Sequence, residues 1–112
     1  TYSEYRVVPE MNHHLMEGTP YPESNKNDIK FVLLESKLFD KRVQKRYEIT
    51  KQVLDNKKIQ FTSYQCQESK KLSQACEVLV LGSYVSFYSA MLQGIDPTAI
   101  PLVDFFKAEL QK

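Results

Sequence analysis

Two adjacent histidines, His13 and His14, are the only imidazoles in the chain and the first place to look for proton-transfer chemistry. A neutral imidazole titrates near working pH and serves as a general acid or base. Neighbours on a helix diverge by about 100°, so at most one of the pair faces a given site. The competing reading is a polar helix start with partly exposed rings. The pattern argues against a metal pair, because adjacent histidines do not converge and no acidic partner has suitable spacing. Lys107 is the next candidate. It lies about 40° from Val103 on a helical wheel, beside Ile100, where a lysine either snorkels to solvent or reaches a phosphate or ring oxygen. The third is the cationic face of residues 41–56, with Lys41, Arg42, Lys45, Arg46 and Lys51 among interspersed acids. A solvated helix surface is the better reading of it than a nucleic-acid site. Glu10 and Glu35 have no spacing that marks them as a catalytic pair. The chain has neither a glycine-rich phosphate loop nor a G-x-S-x-G elbow.

The bounds on these candidates come from composition. The 112 residues are 42% hydrophobic and 26% charged, an ordinary globular balance of single-domain size. A formal net charge of +1 removes any bulk electrostatic case for nucleic acid or acidic lipid. Cys66 and Cys76 lack metal-binding or disulfide-framework spacing, and are expected as buried, reduced thiols of a cytoplasmic protein. No signal peptide is evident. The chain starts at Thr1 rather than methionine, which raises the expectation of a piece of a longer polypeptide.

The elements that would position these groups follow from periodicity. Thr1–Glu10 alternates weakly, and Tyr5–Val8 reads as a short strand ending before Pro9. Asn12 is an acceptable helix N-cap and Gly18 a natural stop. Thr19–Asp28 reads as a polar, proline-bearing loop and the best candidate for a mobile segment. Ile29–Leu34 has the character of a strand buried on both faces. Asp40 can cap a helix over about Lys41–Asn56, with Val43, Tyr47 and Leu54 on its inner face and Ile49 off it. Ile59–Tyr64 reads as a second strand. Leu72–Thr98 holds the longest apolar run, with no charge between Glu77 and Asp96. Val78, Leu81, Val85, Tyr88 and Leu92 form one apolar stripe. Cys76, Leu79, Val80, Phe87, Ala90 and Met91 form the opposite one, so the helix is expected to be sandwiched. Between them runs a line of small and polar residues, Gly82, Ser86, Ser89 and Gln93. The charge-free residues Val78–Ile95 touch the lower limit for a membrane span, but serines, glycines and Gln93 dilute them, which argues against one. Thr98 can cap a last helix burying Ala99, Leu102, Val103, Phe106 and Leu110. Strand, helix, strand, helix at these separations implies a parallel sheet in a three-layer α/β/α sandwich.

Several segments together resemble one family, the bifunctional phosphoglucose/phosphomannose isomerases, in their C-terminal sugar-isomerase (SIS-type) subdomain. They are VPEMNHH (Val8–His14), RYEITKQVL (Arg46–Leu54), GSYVSFYSAMLQGIDPT (Gly82–Thr98) and VDFFKAEL (Val103–Leu110). The resemblance runs over essentially the whole chain. It implies aldose–ketose isomerisation between glucose or mannose 6-phosphate and fructose 6-phosphate, through ring opening and a cis-enediol, without cofactor or metal. It also implies a ring-opening role for His13, Lys107 near the ring oxygen, and Thr98 in the substrate pocket, with Asn12 and Glu10 as further substrate-binding residues of the matched segment.

The resemblance has departures. The family usually reads Asn-His-Asn-Glu where this chain has Asn12-His13-His14-Leu15, and often Asp where it has Ser83. The family's phosphate-binding loops and proton-carrying glutamate belong to an N-terminal subdomain that these residues do not include. That subdomain is expected in the same polypeptide, and residues 1–112 alone are expected to be inactive. A homodimer is expected from the doubly apolar helix, with no nucleic-acid or membrane partner and a cytoplasmic location. The alternative is a non-catalytic sugar-phosphate-binding or dimerisation module of the same fold.

Overall fold

The computed structural model describes residues 3–111, the side chain of Lys26 apart. The order of elements is α1 (Val8–Met11), α2 (His14–Gly18), α3 (Asn25–Asp28), β1 (Lys30–Glu35), α4 (Lys41–Asn56), β2 (Gln60–Gln65), α5 (Lys71–Leu92) and α6 (Pro101–Leu110). They fall into two compact units, Thr1–Gln74 and Ala75–Lys112.

In the first unit β1 and β2 pair in parallel, with Phe31 opposite Phe61 and Leu33 opposite Ser63. The connection is α4, since parallel neighbours need a crossover too long for a turn. Asp40 starts α4 as its spacing predicts, accepting from the Arg42 amide at 2.8 Å. One sheet face meets the helices. Met11, Leu33, Leu54 and Ile59 form the buried cluster, and Phe31, Tyr47 and Phe61 pack against it. Thr50, not picked out by the apolar pattern, is completely buried on the same helix.

The other sheet face carries Val32, 64% exposed, and Leu34, so β1 is covered on one side and not on two. The mixed helix and strand composition with a small parallel sheet is that of an α/β fold.

Three local expectations are corrected. Val8–Met11 is helical rather than the end of a strand, because Pro9 occupies the first turn, where its fixed φ suits a helix and its missing N–H costs nothing. Val8 and Met11 then point into the core. Thr1 and Tyr2 of the expected alternating stretch lie outside the described residues. The Thr19–Asp28 stretch is not loop throughout: it ends in the helical turn α3, Asn25 Nδ2 donates to the Tyr21 carbonyl at 2.7 Å, and Thr19 and Pro20 are buried. Of the thiols, Cys66 is half-buried and Cys76 exposed, rather than both buried.

In the second unit α5 is the longest element, and it begins in the first. Both of its stripes are largely uncovered, Leu79, Val80, Val85 and Phe87 being exposed and Leu92 89% so. The expected sandwiching is therefore not provided within these residues. The same holds for α6, where Leu102, Val103, Phe106 and Leu110 are exposed rather than buried. Within α5, Tyr88 packs beside Tyr84 and edge-on to Phe87, and Ser83 donates to the Leu79 carbonyl one turn back at 2.9 Å. By length and composition α5 would also pass for a membrane span, a test that core helices of soluble proteins pass equally.

α5 stops before Asp96-Pro97-Thr98. Gly94 takes φ +67°, with its amide on Met91 O and that of Ile95 on Ala90 O, both 3.0 Å. This is a Schellman cap, which needs a left-handed residue. Thr98 does not cap α6. Ile100 holds that position without a side-chain bond.

Candidate functional site

The corner between α1 and α2 is built from VPEMNHH. α1 ends at Asn12, whose amide bonds to Val8 O at 3.0 Å, and the His13 amide bonds to Glu10 O at 3.2 Å. The His13 carbonyl accepts from Met16 at the start of α2. His13 is thus the hinge residue between two short helices, its backbone held from both sides. Its imidazole and that of His14 are exposed, and among the described residues neither ring has a hydrogen-bond partner. An exposed imidazole on a held backbone can give or take a proton from a molecule laid against the corner.

Asn12 is not the helix cap that its position suggests. Its Nδ2 donates to Thr50 Oγ1 at 2.8 Å and lies 3.7 Å from Met16 Sδ, while Arg46 Nη1 donates to its Oδ1 at 3.4 Å. The reason is burial: Thr50 has no water to bond, and an unpaired buried hydroxyl would cost about 1–3 kcal/mol. Asn12 therefore pins the His13 corner to α4. Glu10 is exposed in α1, one turn ahead of His13.

At the carboxyl ends of the strands stands a second polar group. Lys51 Nζ pairs with both Glu35 oxygens at 3.0–3.1 Å. Ser36 Oγ donates to Gln74 Oε1 at 2.6 Å, both residues being buried. Burial first, then the charges of Glu35 and Cys66, push the Tyr47 phenol above its ordinary value of 10.0. The strand ends of an open parallel sheet are where such folds place ligands. The signal available beforehand was Ser36 itself, directly after an apolar strand. Among the described residues no three histidine, cysteine or carboxylate side chains converge on a metal-sized point.

The remaining candidates belong to the second unit. Thr98 donates its amide and its hydroxyl to one Asp96 oxygen, at 2.9 and 2.7 Å. The hydroxyl bond first, then the amide bond, hold the Asp96 carboxyl below its ordinary 3.8. Lys107 is exposed in the last turn of α6. The structure therefore brings Glu10, Asn12 and His13 together, and sets Thr98 and Lys107 in the other unit.

Comparison with known proteins gives a consistent answer. The family model described as the bacterial phospho-glucose isomerase C-terminal SIS domain matches residues 1–110. Three relatives are each a bifunctional phosphoglucose/phosphomannose isomerase. That of Aquifex aeolicus is 27% identical over 108 residues, covering 96% of this chain and 33% of the relative. That of Caldicellulosiruptor bescii is 28% identical over 106 residues, covering 95% and 31%. That of Thermoplasma volcanium is 27% identical over 109 residues, covering 97% and 33%. The chain thus spans about a third of the length of the curated relatives it matches. No solved structure matches it.

Proposed function

The chain belongs to the bacterial phospho-glucose isomerase C-terminal SIS domain family, and from that premise we propose that it supplies part of the active site of a hexose 6-phosphate isomerase. The reaction interconverts glucose or mannose 6-phosphate and fructose 6-phosphate. His13 opens the sugar ring by moving a proton at the ring oxygen, and Lys107 steadies the charge that develops there. A proton then passes between C1 and C2 through a cis-enediol. The phosphate loops and the base for that step come from an N-terminal subdomain of the same polypeptide. Thr98, Glu10 and Asn12 shape the pocket. For Asn12 the internal bonds to Thr50 and Arg46 favour placing His13 over touching sugar.

The fold read with this function is a three-layer α/β/α sandwich, in which a further helical layer covers the face bearing Val32 and Leu34. The exposed stripes of α5 are its surface for the N-terminal subdomain and for a second copy in a homodimer. The protein works in the cytoplasm, in glycolysis or gluconeogenesis, without nucleic-acid or membrane partners.

The observation that carries this reading is the exposed His13 on a backbone held from both sides, within a family match along nearly the whole chain. Its test is an assay of the full-length protein with fructose 6-phosphate. Wild type is expected to turn over, and His13→Ala to be slowed by about 10²–10⁴, the usual worth of a general acid or base. An equally fast variant removes His13 from the mechanism. An inactive wild type that still binds the sugar phosphate favours the non-catalytic module, towards which Leu15 and the internally bonded Ser83 point.

A further inference from the structure

The face of α4 that carries its cations is not flat. Together with Asn12 and α2 it borders an open cleft of about 580 Å³. Lys41, Arg42, Lys45 and Arg46 line it, with Met16 and Ile49 as apolar wall and Asn12 at the edge. No carboxylate is among the lining residues. Lys45 shares its charge with Glu48 at 3.2 Å, whereas among the described residues Lys41, Arg42 and Arg46 have no carboxylate partner.

We propose that this cleft is an anion site for a small phosphorylated metabolite, adjoining the sugar-isomerising site at Asn12 and distinct from it in its cations. Four cations on consecutive turns of one helix repel one another, and like charges at i, i+4 destabilise a helix. A bound dianion would turn that repulsion into attraction. Two guanidinium forks suit phosphate oxygens, since planar donors engage them in pairs. The volume falls in the range of small-molecule sites, roughly 300–1,000 Å³. Met16 and Ile49 give a ring or carbon skeleton something to lie on. A formal net charge of +1 over the chain gives no bulk attraction for a nucleic-acid backbone.

The site has a lever on the rest of the molecule. The Arg46–Asn12 bond is long, at 3.4 Å, and a phosphate oxygen would compete for the same guanidinium. Asn12 would keep its shorter bond to Thr50 and lose the other restraint next to His13. Occupancy thereby reaches His13 through Asn12, which lines the cleft.

The experiment is calorimetric titration of the full-length protein with inorganic pyrophosphate at low salt. Saturable binding is expected, weakened about tenfold or more in Lys41→Gln/Arg42→Gln, as loss of two charge-assisted contacts requires. A control pair outside the cleft, Lys30→Gln/Lys57→Gln, carries the same charge change and is expected to alter affinity less than about twofold. Absence of saturable binding, an unaffected cleft variant, or equal losses in both pairs would overturn the site. Tighter binding of a single-stranded oligonucleotide, with the same loss in the cleft variant, would overturn the small-molecule assignment. Neither result depends on isomerase activity, so this site and the proposed reaction stand or fall separately.

Discussion

The two units of this chain solve the problem of apolar surface in opposite ways. Thr1–Gln74 closes a core around Leu54 and Thr50 and satisfies its buried polar groups internally, through Asn12 with Thr50 and Ser36 with Gln74. Ala75–Lys112 is richer in apolar runs, yet no hydrophobic residue in it is buried. Burial therefore does not follow apolar content. It follows whether a second element faces the apolar side, and a helix apolar on two sides needs two such partners. Contiguous exposed apolar surface of this kind marks interaction sites.

The largest effect expected from breaking the comparison is in the closed core. Leu54→Ala should cost about 2–5 kcal/mol in denaturant unfolding of the full-length protein, because a completely packed leucine leaves a cavity. Phe87→Ser should instead change stability by no more than about 0.5 kcal/mol and, on the proposed homodimer, shift the protein toward monomer in sedimentation. An unchanged dimer would move the interface off the α5 stripe. Next is Thr50→Val, which strands the Asn12 amide and should cost about 1–3 kcal/mol. If His13 acts as proposed, the same variant should also lower turnover by loosening it, with less effect on sugar-phosphate affinity.

A smaller effect distinguishes the ends of the two long helices. Both α4 and α5 close with the same pair of bonds. At α4 the left-handed position is Lys58, φ 58°, with the Ile59 amide on Leu54 O at 2.9 Å. At α5 that position is Gly94. A side chain there is strained, so Lys58→Gly is expected to raise stability by up to about 1 kcal/mol, and Gly94→Ala to lower it similarly. Thermal unfolding of both variants decides the point.

The smallest effects are titrations. Asp96 should show a carboxyl midpoint below 3.8 by NMR, returning upward in Thr98→Val. Because its folded midpoint is lowered, the turn is stabilised above the ordinary value and loses that stabilisation as pH falls through the lowered midpoint. Tyr47 runs the other way. Its raised phenol contributes stability below pH 10.0, and this is lost as pH rises through the folded midpoint, which Tyr47→Phe should remove.

Much of the first unit was legible. Asp40 and the 3.6-residue spacing of Val43, Tyr47 and Leu54 located α4 at Lys41–Asn56. The β-branched and aromatic runs located both strands to within one residue. VPEMNHH marked the corner that carries His13, as a resemblance rather than as geometry. What escaped was polar and distant. Nothing local marks Thr50 as the acceptor for Asn12, or Gln74 as the partner of Ser36, each 38 residues away. Nor does periodicity distinguish a stripe that is covered from one that waits for cover.

Periodicity, caps and turn residues act within one or two turns of backbone, so the residues themselves determined where the helices and strands lie, and the parallel pairing their order requires. Burial and long-range hydrogen bonding depend on which surfaces meet. Only the tertiary structure decided that the Asn12 side chain holds a corner instead of N-capping α2, that four cations share a cleft, and that both stripes of α5 stand open.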